Sequence, residues 1–525
     1  MKVKILGAGI LILLVLSLLY CRKKQESGTS PVKKGGTVRI ALLGSADNLF
    51  PFTIQEYFSQ EISQTILNPG LTSFADNGDP VPQIARAWKY DARKKSLTYY
   101  LDPKFTWNDG QPVKAKDVLA TYQFLEFNRD ALQPAYKLTY VDSLQVIDSL
   151  TLRFVFNRDI AEPERWTRFA ILNSRLMRDG LSLQTVSDRF NRDFIGCGPY
   201  VLKDRNEKEL ILLRNPYYPE TVYLDSLIIR YYDSFNKIIA KGETGQIDVI
   251  PSLPVSYSNR ASKFNGYRII PRLESGFEFI AWNLQHPILK SKKVRLALTY
   301  AIDRQTLVDG LLSGYGLVHD TPAPPDYWAY LNERPLPYDP LKAKQLLAED
   351  GWKEKEDQDG LVKGDRTLDL ELLTNKENAL RQQIMNNIRN YYQQVGVKVR
   401  TTVLPWDKLL KRLKKGQFDG AILSWGSNQA TTIMELFHSS SIANGNNVMH
   451  YINPQVDKLL DEVNASTNRG LRREICLEAQ KLIIEDRPVT VLFTKRELRI
   501  VNRHIKNVDF RGLHLFKNIR LWYIE

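Results

Sequence analysis

The most regular pattern of apolar and polar positions lies toward the C-terminal end of the chain. Leu409, Leu410 and Leu413 share one face at helical spacing, and Gly416 ends that pattern. Residues 418–425 then form a short apolar run of the kind found in buried strands, and a polar loop follows. This pattern predicts a helix, a turn, a buried strand and a loop.

The same stretch belongs to a longer alternation of strands and helices. From Thr367 the predicted order is a strand, a helix over 377–394, a strand over 397–403, a helix, and the strand over 418–425. Strands that alternate with helices indicate βαβ units with parallel pairing. The pattern therefore predicts an α/β lobe in this part of the chain.

The loop that follows the last of these strands is the candidate ligand site, because ligands of open α/β sheets bind beyond the carboxyl ends of the strands. Trp425, Gly426, Ser427 and Asn428 occupy that loop. Trp406, at the start of the preceding helix, is a second aromatic candidate. The alternative, that Trp406 and Trp425 are core aromatics, stays open at this point.

The first half of the chain and the region around residue 300 predict further elements. Period-two alternation favours strands, and helical spacing of apolar residues favours helices. The predicted strands are 37–43 and 96–101, and the predicted helices are 57–67, 82–88 and 115–127. Residues 292–312 carry a stripe of apolar side chains, which indicates a scaffold helix. Asp339 and Pro340 predict the start of another helix that Gly351 closes.

The N-terminus has the layout of a secretory signal peptide. Lys2 and Lys4 precede a continuous apolar run over 5–20, and Cys21 and a polar segment follow. The cysteine at this junction resembles the lipobox of bacterial lipoproteins, although Tyr20 stands where that motif has a small residue. The resemblance implies export and a lipid anchor on Cys21. The alternative is an uncleaved N-terminal anchor.

Length and charge limit the function classes. A chain of 525 residues and 60.5 kDa predicts two or three lobes. The net charge is +14, but the basic residues are scattered, which argues against nucleic-acid binding. Beyond the N-terminal segment the cysteines are Cys197 and Cys476, in a loop and a helix, and we expect two buried free thiols.

Catalytic motifs are missing from the sequence. The six histidines form no H-E-x-x-H pattern, and residues 312–316 do not fit a G-x-S-x-G nucleophile elbow. We therefore expect no enzyme activity, no cofactor and no protein-bound metal. His438 and His450 flank the candidate loop region, so a metal-containing ligand stays open.

Five motifs occur in an order that resembles the family 5 extracellular solute-binding proteins, the peptide receptors of ABC importers. The motifs are FTWNDGQP at 105–112, IGCGPY at 195–200, LRNPYY at 213–218, VRLALTYAIDR at 294–304, and YDP at 338–340 with GW at 351–352. The resemblance covers the chain from about residue 36 to the end.

The resemblance implies a periplasmic-binding-protein-like class II clamshell: an α/β fold of two lobes with an extra inserted domain. The expected divisions are a signal peptide at 1–20, a lipidated cysteine and linker at 21–36, a discontinuous domain I at 37–70, 194–275 and 493–525, domain II at 71–193, and domain III at 276–492.

The resemblance also implies function. The expected protein is a monomeric, exported, lipid-anchored receptor at the cell membrane, facing the periplasm or the cell exterior. It would trap peptides, or a related small solute, between closing lobes and deliver them to an ABC permease. The expected ligand-binding residues are Trp425, Asn428, Trp406, Gly426, Ser427, Trp282 and Tyr57. Alternatives are sensing or adhesion with the same fold, or a non-peptide solute such as a sugar or a metal complex.

One position departs from the peptide-binding members. They carry an aspartate three residues after the loop tryptophan, which pairs with the α-ammonium of the peptide; here that position is Asn428. A charge-assisted hydrogen bond is about twice as strong as a neutral one. The ligand is then a peptide held away from its N-terminus, or a solute that is uncharged at that end. Glu435 is a candidate for the missing charge.

Overall fold

The computed structural model describes residues 32–45, 48–54, 56–75, 78–132, 136, 138–355, 358–426, 432–510 and 514–525. Cys21, Ser427 and Asn428 lie outside these residues, so what the sequence predicts for them stays a prediction. Within the described ranges, no helix is long and apolar enough to cross a bilayer.

The described residues form strands in both halves of the chain. In chain order they are β1 (Thr37–Leu43), β2 (Thr72–Phe74), β3 (Pro80–Pro82), β4 (Ala85–Asp91), β5 (Ser96–Leu101), β6 (Val141–Val146), β7 (Thr151–Phe156), β8 (Tyr200–Asn206), β9 (Glu209–Arg214), β10 (Ser226–Tyr232), β11 (Val249–Leu253), β12 (Tyr267–Leu273), β13 (Gly276–Trp282), β14 (Gly316–Leu317), β15 (Lys353–Lys355), β16 (Gln358–Lys363), β17 (Arg366–Thr367), β18 (Asp369–Asn375), β19 (Lys398–Leu404), β20 (Gly420–Gly426), β21 (Val489–Asn502), β22 (Ile505–Lys506) and β23 (Tyr523–Ile524).

The α-helices lie mainly in the second half of the chain. They are α1 (Tyr57–Glu61), α2 (Ala115–Phe127), α3 (Pro163–Trp166), α4 (Leu183–Asp193), α5 (Phe235–Glu243), α6 (Ser258–Ala261), α7 (Lys292–Tyr300), α8 (Arg304–Leu312), α9 (Pro340–Glu349), α10 (Ala379–Gln394), α11 (Trp406–Lys414), α12 (Thr432–Phe437), α13 (Ser441–Asn444), α14 (Pro454–Ala465) and α15 (Arg469–Asp486). Helix α1 continues directly into a π-helical turn, Ile62–Leu67.

One large sheet runs through two lobes. Its strand order is β19-β18-β20-β13-β21-β11-β1-β10-β9-β8, and β12 and β14 also pair with β21. The first lobe contains β1 and β8–β12, and the second contains β13 and β18–β20. Strand β21 belongs to both, because its early residues pair with β13 and its later residues pair with β12 and β11.

Both faces of the second lobe's sheet are covered. Ile280 and Trp282 of β13 point into a core that includes Val294 and Leu298 of α7. Phe277 and Phe279 of the same strand point into the core on the other face, which includes residues of α11, α14 and α15. The alternation along β13 places helices on both faces of this mixed sheet, in which β18–β20 are parallel and β13 is antiparallel to its neighbours.

The inserted domain contains an antiparallel sheet in the order β4-β5-β7-β6. The helix expected over 82–88 is wrong: this segment forms the end of β3 and the start of β4. Tertiary pairing explains the difference, because Trp88 lies opposite Tyr99 of β5 and its indole N–H donates to Glu164 at 2.7 Å. A short segment with mixed polarity takes the conformation that its neighbours can pair with.

The inserted domain also touches the second lobe through ion pairs. Arg472 of α15 lies 3.1 Å from the Glu162 carboxylate, and Arg469 pairs with Asp79. The Arg472 side chain is 5% exposed and its guanidinium lies 5.2 Å from the Trp328 ring centre. These contacts hold the inserted domain against the start of α15.

The sequence predicted that Cys197 and Cys476 are buried free thiols and that residues 292–312 are scaffold, and both predictions are confirmed. Cys197 and Cys476 are buried free thiols, and burial raises the pKa of each. The stripe over 292–312 packs in the second-lobe core, but it is split into α7 and α8, because Asp303 caps a new helix by accepting from the Thr306 N–H at 2.9 Å.

The carboxylate of Glu162 generates a stability prediction, because it lies 2.9 Å from Arg165 as well as 3.1 Å from Arg472. Glu162→Gln should lower the free energy of unfolding by about 2–3 kcal/mol, since it leaves a buried arginine without its counter-charge. Urea denaturation measures this. The control is Glu126→Gln in the exposed Arg129 pair, where a loss of about 0.5 kcal/mol or less is expected. Equal losses in the two variants would contradict the prediction.

His319 generates a pH prediction. Its ring nitrogens lie 3.0 Å from the Thr321 carbonyl and 2.9 Å from the Thr494 hydroxyl, and desolvation lowers its pKa to about 4. The unfolded chain binds this proton near pH 6.5, so stability is full above that pH and falls toward pH 4. We expect a loss of about 2 kcal/mol from pH 7.5 to pH 5 that His319→Gln reduces. Urea titrations at both pH values measure it, and an unchanged slope in the variant would refute it.

Candidate functional site

Sheet topology brings four strand ends together at one edge of the second lobe. Strand β18 pairs in parallel with both β19 and β20, so Asn375, Leu404 and Gly426 end these strands at the same edge. Strand β13 is antiparallel to β20, and its first residue, Gly276, lies opposite Gly426. This confirms the parallel pairing predicted from the sequence. The carboxyl edge is where ligands of open α/β sheets bind.

Trp425 lies at the boundary between the second-lobe core and the surface. It lies opposite Phe277 in the ladder and packs against the second-lobe core, yet it is only partly buried. Its indole Nε1 is shielded and has no hydrogen-bond partner among the described residues. A buried donor without an acceptor costs about 1–3 kcal/mol. A rearrangement that gives this indole N–H an acceptor would recover that free energy.

Trp406 presents its ring to solvent at the same edge. It is the first residue of α11, directly after β19, and it is 47% exposed. Its backbone N–H donates to the Glu377 carboxylate at 3.4 Å. An exposed indole on a fixed helix start can contact a ligand at low conformational cost.

Gly276, opposite Gly426, allows β13 to lie close to β20. A Cβ on Gly276 would lie 2.9 Å from the Trp425 carbonyl oxygen and 3.1 Å from the Gly426 Cα. Glycine is therefore required for the strands to approach here. Ser427 and Asn428 follow outside the described residues, and Glu435 lies on α12.

The expectation of a ligand contact from Trp282 is corrected. The residue is 0% exposed in the second-lobe core, and its indole N–H donates to the Thr490 hydroxyl at 3.0 Å. It lies at the opposite end of β13 from Gly276, where it pairs with Gly420. Sequence reasoning could not find this, because an aromatic residue at the end of an apolar strand can lie in a core or face a ligand.

Tyr57, the first-lobe candidate, is exposed. It begins α1, which Glu56 caps by accepting from the backbone N–H groups of Phe58 and Ser59. Tyr57 is 42% exposed, and desolvation by the surrounding protein, followed by the charge of Glu61, raises the pKa of its phenol.

An ion-pair network lines the junction of the lobes, and sequence reasoning missed it. Lys495 of β21 lies 3.2 Å from Glu274 and 3.7 Å from Glu278. Glu278, 2% exposed, also pairs with Arg381 at 3.0 Å, and Arg381 donates in turn to Asn375 and Ser424. The available signal was Glu278 inside the apolar strand GFEFIAW, because a buried carboxylate requires a cationic partner.

Lys495 joins the two lobes at this junction. It pairs with Glu274, which follows β12 of the first lobe, and with Glu278 in β13 of the second. Burial raises the pKa of the Glu274 carboxyl, and the charge of Lys495 opposes that shift. The junction and the start of β13, which lies opposite Gly426, are therefore neighbours.

The two histidines near the candidate loop contact different groups. His438 lies 3.4 Å from Asp461, whereas the His450 ring lies 3.1 Å from the Val448 carbonyl. Among the described residues, no group of three histidine, cysteine or carboxylate side chains is arranged to hold a metal ion.

Comparison with known proteins identifies relatives along nearly the whole chain. The oligopeptide-binding protein AppA of Bacillus subtilis (strain 168) is 24% identical over 557 aligned residues, covering 100% of this chain and 99% of that protein. Heme-binding protein A of Haemophilus influenzae is 24% identical and covers 90% of this chain and 86% of its own. The structure of HbpA2 from Haemophilus parasuis superposes with a TM-score of 0.81 at 19% identity, over 93% of this chain and 100% of that one.

These likenesses show the two-lobed clamshell fold. The family model described as bacterial extracellular solute-binding proteins, family 5 Middle, matches residues 79–445, which is more than half of the chain. The chain therefore belongs to the family 5 bacterial extracellular solute-binding proteins, a family of binding proteins.

Proposed function

We propose that this protein is the substrate-binding component of an ABC importer and captures peptides between its two lobes. The observation that carries the proposal is the junction: β21 is shared by both lobes, and its Lys495 pairs with Glu274, two residues before Gly276, which lies opposite Gly426 at the second-lobe edge. The family supports solute capture, and a relative named as an oligopeptide-binding protein supports peptides as the ligand class.

Closure at this junction traps a ligand without chemistry at the site. The shared strand β21 keeps the lobes connected while they rotate, as in other two-lobed binding proteins. An extended peptide is held through its backbone, and its side chains lie in roomy pockets. Trp406 and Tyr57 provide exposed aromatic surface, and Trp425 and Gly426 end β20, directly before the candidate residues Ser427 and Asn428.

The remaining parts of the proposal rest on the sequence. Lys2, Lys4 and the apolar run over 5–20 support export, and Cys21 supports a lipid anchor at the cell membrane. The protein acts as a monomer that docks on a permease, without a cofactor and without enzymatic activity.

A non-peptide solute is the second candidate, since one relative is named as a heme-binding protein. The exposed rings of Trp406 and Tyr57 suit a planar ligand as well as a peptide backbone. Native mass spectrometry of the purified protein decides between the two. A ladder of peptide masses supports the proposal, and a single non-peptide mass supports the second candidate.

Trp406→Ala tests the exposed wall of the site. We expect about tenfold weaker peptide binding by calorimetry, equivalent to about 1.4 kcal/mol, from the loss of one exposed aromatic contact. Trp166→Ala is the matched control, because Trp166 is 38% exposed on α3 of the inserted domain. Equal effects of the two substitutions, or no effect of Trp406→Ala, would remove Trp406 from the site.

Asn428→Asp tests the loop. If Asn428 takes the position of the family's aspartate, the new charge should strengthen binding of free-amine peptides by about tenfold, because a charge-assisted hydrogen bond replaces a neutral one. An N-acetylated peptide of the same sequence is the control ligand and should gain nothing. Unchanged or weaker binding of the free-amine peptide would show that the loop lies elsewhere.

A further inference from the structure

The inserted domain and the first lobe share one hydrophobic core. Val38 and Ile40 of β1 belong to the same buried cluster as Leu97 and Tyr99 of β5. The buried residues of the two second-lobe cores all lie within 277–493 and form separate clusters. Because a close-packed core resists sliding, the inserted domain moves with the first lobe. The second lobe is the other moving body.

Helix α15 brings the second lobe to the inserted domain. It ends at Asp486, and β21 begins shortly afterwards at Val489. Val489 pairs with Ala281, at the end of β13 that lies away from the carboxyl edge. A helix of 18 residues is about 27 Å long, and this one packs against the sheet through Cys476 and Ile483. The start of α15 therefore lies toward the carboxyl edge, on the cleft side of the lobe.

Two ion pairs join the start of α15 to the inserted domain. Arg472 lies 3.1 Å from the Glu162 carboxylate, and these side chains are 5% and 20% exposed. Arg469 pairs with Asp79, and both of those side chains are more exposed. Within the described ranges, no other ion pair connects the inserted domain with the second lobe.

The backbone of Glu162 is in the left-handed conformation, with a φ of 50° at the N-terminal end of α3. Residues other than glycine rarely adopt this conformation, and strained positions of this kind cluster where a protein functions. The Glu162 carboxylate lies between two cations, 2.9 Å from Arg165 and 3.1 Å from Arg472. The strained turn thus places this carboxylate against α15.

Each member of the buried pair also has a contact within its own body. Arg472 donates to the Val463 carbonyl at 2.9 Å, and its guanidinium lies 5.2 Å from the Trp328 ring centre. Glu162 keeps Arg165, which belongs to the same domain. Separation of the two bodies would therefore leave neither charge isolated, so this pair can break and form again.

We propose that the inserted domain is a catch for the closed lobes, and that the pairs Glu162–Arg472 and Asp79–Arg469 are an ion-pair latch across the mouth of the cleft. Opening separates α15 from the inserted domain and breaks both pairs. None of the four residues is a candidate ligand residue, so the latch forms without a ligand and populates the closed state before capture. The inference goes beyond the proposed function: it requires lobes that open and close, whatever solute they take.

The test measures how open the lobes are without ligand. Spin labels on Lys116→Cys in α2 and Gln455→Cys in α14 report the distance between the inserted domain and the second lobe by double electron–electron resonance. Every form carries Cys21→Ser, and Cys197 and Cys476 are buried, so the labels attach to the two introduced cysteines. Native mass spectrometry checks that each sample is free of ligand.

The variants act on the exposed pair, where substitution is compatible with folding. Arg469→Glu reverses one charge and breaks the pair, and Asp79→Arg combined with Arg469→Glu restores it with the charges exchanged. Arg473→Glu is the matched control, because Arg473 is exposed on the same helix and has no ion-pair partner in the part of the chain that the structure describes.

At about 0.1 M salt the wild type should be mainly closed, and Arg469→Glu should raise the ratio of open to closed molecules by about fivefold, because attraction is replaced by repulsion. The exchanged pair and Arg473→Glu should stay within about twofold of the wild type. Raising the salt to about 1 M should open the wild type, since the screening length falls from about 10 Å to about 3 Å.

Three results would overturn the inference: a wild type that is open at low salt, equal ratios in Arg469→Glu and Arg473→Glu, or an exchanged pair that stays as open as Arg469→Glu. Each of them leaves the proposed function intact, because peptide capture is measured separately. Failure to bind peptides would overturn the proposed function alone, since the latch forms without a ligand.

Discussion

The structure depends on one strand that serves two lobes. Strand β21 pairs with β13 in the second lobe and with β11 and β12 in the first, so a single backbone ladder crosses the junction. Between these regions the pairing is irregular: Glu274 donates to the Lys495 carbonyl, and Arg496 donates to the Tyr315 carbonyl of the segment before β14. The β13 pairing also shifts register between Glu278 and Phe279, so the ladder along β21 is discontinuous where it changes lobe.

The charged side chains at the junction are paired with one another, and these pairs stabilise it. Glu278 is buried, and without Arg381 and Lys495 it would be an unpaired charge in a low-dielectric place. The same pairs carry the contact from the first-lobe side of the cleft to Ser424, next to Trp425. The carboxylates used in this way hold the junction together.

The sequence located the second-lobe edge correctly and failed on side-chain placement. The helical face of Leu409 and Leu413, the break at Gly416 and the apolar run after it were local signals, and they placed the loop after β20 at the carboxyl edge. Trp282 carried no such signal, because whether an aromatic lies in a core or a cleft depends on which elements cover it. The segment over 82–88 failed for the same reason: its pairing with β5 is non-local.

By itself the sequence determined the family, the α/β character of the second lobe, the scaffold helices and the free cysteines, because each follows from motifs or from periodicity within one segment. Tertiary structure alone decided the counter-charges. Glu278 meets Arg381 and Lys495 across separations in sequence that no local pattern records. Charges balance through space, so the electrostatics of the cleft appear only when the strands and their connections have been placed.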